Sequence, residues 1–105
     1  MIKINILGYW YDVLFVPQRD INGNVGGINT ENYWIKIAEE IPDSNKHSTL
    51  VHEILEGLNL HLGLRLKHNT IIALETGIYQ SLTANGVDLS ILLIDNADDE
   101  KEVVK

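Results

Sequence analysis

Cysteine is absent from this chain, which removes disulfides, thiolate metal ligands and a cysteine nucleophile together. A thiol-free sequence fits a reducing cytosol. Positive charge is scarce: eight Lys and Arg stand against fifteen Asp and Glu, a formal net charge of −7. Such a surface repels a phosphate backbone, so nucleic acid is not an expected partner. No apolar run approaches the roughly 18 residues that a membrane span requires, and no membrane association is expected. The opening stretch Met1–Leu7 is broken by Asn5 and followed by Gly8 and Asp12, unlike the apolar core of a signal peptide. The expected setting is cytoplasmic.

What the sequence does contain suits one small core with little to spare. Hydrophobic residues make up 45% and charged residues 22% of 105 positions, ordinary for a globular protein. We expect a single domain over residues 1–94. The acidic tail 95–105, with five acids against two lysines, is expected to be solvated and disordered.

Periodicity divides the domain into strands and then helices. Ile2, Ile4 and Ile6 alternate with Lys3 and Asn5, and a β-prone run follows from Tyr9 to Val16. Asp20 to Gly27 is a turn-rich loop containing Asn22-Gly23. The segment from Gly27 to Ile37 reads as a hairpin whose second strand alternates Tyr33, Ile35 and Ile37 against Trp34 and Lys36. Pro42-Asp43-Ser44 changes the pattern. Asp43 or Ser44 is expected to cap a helix that runs to about Leu62 and stops at Gly63. A second helix is expected from His68 or Asn69 to Ala84, and residues 87–94 read as a short helix or strand. The expected fold is α+β, a small antiparallel sheet packed on a two-helix hairpin.

The first helix carries Thr49-Leu50-Val51-His52-Glu53-Ile54-Leu55-Glu56, one residue away from the zinc-protease signature HExxH. In that signature two histidines one turn apart hold Zn²⁺ and the intervening glutamate takes a proton from water. Here His52 and Glu53 are in place and Glu56 stands where the second histidine belongs. A carboxylate is also a zinc ligand, so the change leaves the site possible. At about 100° per residue, Leu50, Val51, Ile54, Leu55, Leu58 and Leu62 form an apolar arc, with His52 and Glu56 together outside it and Asn59 nearby. The extended metzincin pattern fails, because Asn59 and Leu62 occupy its glycine and third-histidine positions and His61 faces elsewhere. His47 reads as a first-turn residue.

Two residues of the second helix compete for a third ligand position. Ile71, Ile72, Leu74, Ile78, Tyr79 and Leu82 form its apolar stripe, and Glu75 falls near the middle of that stripe. A carboxylate there should be protonated, hydrogen-bonded or bound to a metal. The short loop from Gly63 to Lys67 implies antiparallel helices, which sets Glu75 opposite the His52–Glu56 pair. His68 lies nearer the loop and reaches the pair only if the helices cross steeply. With His68 the set becomes two histidines and one carboxylate, which suits zinc better than one histidine with two carboxylates.

The segment STLVHEILEGLNLHLGLRLKHNTIIALETGIYQSLTANG, with the preceding GGINTENYWIKIAEEI, resembles the small metallopeptidase-like proteins encoded by bacteriophages and mobile elements. These are minimal relatives of the zincin proteases, broadly of the ImmA/IrrE type. The resemblance implies a zincin-like core with a sheet-edge strand before the active-site helix and a further ligand from the next helix. By position it makes His52 the first zinc ligand and Glu53 the general base. Glu56 takes the second-ligand place, and His68 or Glu75 the third. Tyr79 would be a hydrogen-bond donor to a developing oxyanion. The function implied is a peptidase using one Zn²⁺ on a peptide or protein partner, which would add as a strand to the sheet edge. A chain this short leaves little wall for a cleft, so a homodimer or the partner would complete it. The alternative is a catalytically inactive accessory or binding module of the same fold, with a structural metal or none.

Overall fold

The computed structural model describes residues 1–95. The rest of the acidic tail lies outside the described residues. Four strands precede two helices in the order β1 (Ile2–Ile6), β2 (Tyr9–Val16), β3 (Gly26–Asn29), β4 (Trp34–Ala38), α1 (Asp43–Leu62) and α2 (His68–Ala84). Short 3₁₀ turns at Gln18–Ile21 and Leu89–Leu93 complete the architecture, the second where the sequence left helix and strand open. This is the expected α+β arrangement.

The sheet order is β1-β2-β4-β3. The outer pairings, β1 with β2 and β3 with β4, are antiparallel as expected, but the central pair β2–β4 is parallel. The β3–β4 hairpin docks on β2 through its second strand, which leaves β3 at the edge. β1 and β2 meet through a two-residue turn in which Leu7 and Gly8 both have positive φ, 54° and 91°. That conformation matches the twist of adjacent strands, and the Asn5 side chain braces it by accepting the Gly8 N–H at 2.9 Å.

Period-two alternation then selects the inner face. Ile4, Ile6, Tyr11, Val13, Ile35 and Ile37 are buried in one cluster with Leu50 of α1, and Ile54 and Leu58 pack against it. Each such side chain contributes about 1.5–3 kcal/mol on full burial. The buried Tyr11 hydroxyl is satisfied by the His61 Nε2, 2.5 Å away. Tyr9 is stacked between His61 and Tyr33. His61 is therefore turned to the sheet and stays clear of the HExxE face.

α1 ends as expected, at Gly63 in the left-handed conformation with its N–H on the Asn59 carbonyl. Its N-terminus differs. Pro42 is the capping position, with no side-chain cap bond, and Asp43 is the first helical residue. Proline's fixed φ and missing N–H suit a helix start, so the chain turns there without a polar cap. α2 also differs from its pattern. Of its apolar stripe only Ile71 is buried, whereas Ile72, Leu74 and Ile78 are exposed. α1 already covers the sheet, and no further described element packs over the outer side of α2. Among the described residues no helix is long and apolar enough to cross a membrane.

Candidate metal centre

Three parallel rows on α1 build the site. Leu50, Ile54 and Leu58 face the sheet, as described, whereas Leu62 at the end of the expected arc is exposed. On the flank toward β3, Thr49, Glu53 and Gly57 recur at four-residue spacing and all three are buried. His52 and Glu56 form the next row, half-buried, and face α2. Asparagine and valine before β3, β3 itself, and the facing rows of α1 and α2 enclose a cavity of about 610 Å³.

His52, Glu53, Glu56, His68 and Glu75 all line this cavity. One ligand atom from each of His52, Glu56 and His68 lies within 4.8 Å of the other two, near enough to hold a metal ion. The His52 and His68 rings meet edge to face with centroids 5.4 Å apart. Glu75 takes a different position. Its carboxylate accepts a hydrogen bond from the His52 Nδ1–H at 2.9 Å, with both side chains largely shielded. That contact fixes the tautomer and orientation of the ring and leaves Nε2 as its free donor atom. Both helix-two candidates therefore reach the pair, and they do so in different ways. Tyr79 is half-buried one turn beyond Glu75 and does not line the cavity. The register that aims Glu75 at His52 carries Tyr79 past the site.

Glu53 is the most deeply buried of the group, 5% exposed, and its carboxylate makes no hydrogen bond among the described residues. Loss of solvent pushes its pKa up from 4.5 to about 7; neighbouring His52 opposes the rise, and Glu56 and Glu75 add to it. Strand β3 leaves room for this side chain only because residue 26 is glycine. A Cβ there would stand 2.5 Å from the Thr49 Cγ2 and 2.9 Å from a Glu53 carboxylate oxygen. Gly57 likewise permits close approach a turn further along α1, where a Cβ would stand 3.0 Å from the Ile28 Cδ1. The sequence signal for this contact is the Thr49, Glu53, Gly57 spacing, a small-acid-small row beside the apolar arc. The apolar arc alone does not reveal it.

Two imidazoles and a carboxylate on adjacent helices suit a borderline metal ion, and a buried carboxylate without a partner stands beside them. The residues present fit a metal ion held by His52, Glu56 and His68. The chain matches no protein-family model, no curated protein and no solved structure.

Proposed function

We propose that this protein is a zinc-dependent peptidase with a zincin-like core, in which His52, Glu56 and His68 hold the ion and Glu53 is the general base. The observation that carries this reading is the convergence of those three donors beside a buried, unpartnered carboxylate. When bound, the ion supplies Lewis acidity, polarising a peptide carbonyl and acidifying water. Glu75 holds the His52 ring through Nδ1 and raises its basicity as a ligand. Glu53, buried in the same cavity as the three donors and without a hydrogen-bond partner among the described residues, is placed to accept a proton from water and return it to the leaving amine. The free edge of β3 runs along the cavity, which supports binding of an extended peptide by strand addition.

A second reading keeps the ion and removes the reaction. α2 buries only Ile71, so a metal bridging His52 and Glu56 to His68 would serve to fasten that helix. Two measurements separate the readings. Zinc equilibrated with untagged protein should bind near one equivalent in the wild type and be lost in His52→Ala. On an unfolded polypeptide substrate, the zinc-loaded wild type should cleave, and Glu53→Gln should keep its zinc while losing cleavage. Absence of zinc binding by the wild type sinks both readings. Zinc binding without cleavage leaves only the second.

A further inference from the structure

The ligand group depends on bringing His68, an exposed residue at the very start of α2, back against Glu56 on α1. Apart from its edge-to-face contact with His52, no side-chain cap holds the histidine at that helix start. Lys67 is the capping position without a side-chain cap, and its carbonyl simply accepts the first N–H bonds of α2 from Thr70 and Ile71. Among the described residues, the loop's hydrogen bonds to α1 all run to a single residue. The Asn59 carbonyl accepts N–H bonds from Gly63 and from Leu64. Its side-chain oxygen accepts the Leu66 N–H at 2.9 Å, and its amide nitrogen donates to the Leu66 carbonyl at 3.4 Å. The side chain thus pairs with Leu66 much as a neighbouring strand would.

The bracket also accounts for a strained position. Arg65, immediately before Leu66, has φ of 59°, a conformation that costs a non-glycine residue about 1–2 kcal/mol and persists only when its surroundings impose it. Asn59 supplies that constraint from both sides, at residues 63–64 and at Leu66. It also lies three residues from Glu56, on the same face of α1. The loop is therefore tied to the face that carries the ligand, and two residues beyond the tie comes His68.

We propose that Asn59 is a positioning residue of the metal centre: by fixing Leu66 it sets His68 against Glu56 and His52. This rests on the metal-binding reading above. Asn59 touches no ion itself, so its whole effect should pass through His68.

A zinc competition titration against a chromophoric chelator tests this with the full chain as wild type, Asn59→Ala, His68→Ala and the double variant. Asn59→Ala should weaken zinc binding by about tenfold or more, in the range found for residues that orient ligands. The double variant should bind no more weakly than His68→Ala alone. Leu58→Ala, which thins the core without touching the loop, should lower the melting temperature and leave zinc affinity within a few-fold of wild type. Should Asn59→Ala fail to fold, Asn59→Gln takes its place, keeping the amide on a longer stem and so shifting the loop. Wild-type affinity in the folded Asn59 variant overturns the proposal and leaves the metal site standing. So does a double variant weaker than His68→Ala, since Asn59 would then act by another route. A wild type that binds no zinc overturns both.

Discussion

The imidazole of His52 and the carboxylate of Glu75, twenty-three residues apart in sequence, meet at 2.9 Å across the interface of α1 and α2. On the proposed metal-binding reading, the contact orients His52 without making Glu75 a ligand. Glu75→Gln or Glu75→Ala should accordingly weaken zinc binding by about 10–100-fold without abolishing it, as measured by chelator competition. Loss as complete as in His52→Ala would place Glu75 among the ligands.

Zinc should raise the thermal stability of the folded chain. At a hundred times its dissociation constant, an ion that binds only the native state adds about 2.7 kcal/mol, about 10 °C or more for a chain this size. Calorimetry with and without zinc should show that rise in the wild type. In His68→Ala the rise should shrink to a few degrees, and an undiminished rise there would exclude His68 from the site.

Glu53 gives the metal-free protein a specific pH dependence. Its pKa is about 7 in the fold against 4.5 for an ordinary glutamate. Between those values the native state keeps a proton that the unfolded chain has released. The stability associated with that proton is complete below pH 4.5 and is lost as the pH rises through about 7. Glu53→Gln, which cannot ionise, removes this dependence. The stability of Glu53→Gln relative to wild type should therefore grow by up to about 3 kcal/mol from acid to neutral pH, read by urea denaturation in the presence of a chelator. A pH-independent difference would show that the buried carboxyl is not perturbed.

Gly26 admits no side chain, since its Cβ would meet both Thr49 and Glu53. Gly26→Ala should destabilise the protein by about 1–3 kcal/mol through overpacking, and should also disturb zinc binding by displacing the row beside His52. Gly27→Ala, where a Cβ meets nothing within 4 Å, is the matched control and should be nearly neutral in both measurements.

Much of this was legible from spacing alone. The alternation of Ile2, Ile4 and Ile6, the proline before α1 and the glycine after it mark local preferences that the tertiary structure leaves intact. So does the i, i+4 relation of His52 and Glu56, which helical geometry guarantees. The parallel pairing of β2 with β4 was not legible, because alternation reports which face a strand buries and not the direction of its neighbour. The exposure of Ile72, Leu74 and Ile78 was hidden too: an apolar stripe shows what a helix can bury and not whether anything lies over it. The side-chain bonds from Asn59 to Leu66 and from Glu75 to His52 depend on how the helices fold back on each other. Composition and periodicity carry no record of that. Tyr79 illustrates the limit of transferring a role by position, since one helical turn was enough to take it out of the cavity.

α2 spans seventeen residues and buries one of them. Such a helix has little packing energy of its own with which to stay docked, and much of its attachment runs through the His52–Glu75 pair and the Asn59 tie. Docking of α2 and occupancy of the cavity are then two readouts of one equilibrium. Whatever bridges the two helices in the cavity should also strengthen the docking of α2, so a variant that loosens the helix should weaken affinity at the site.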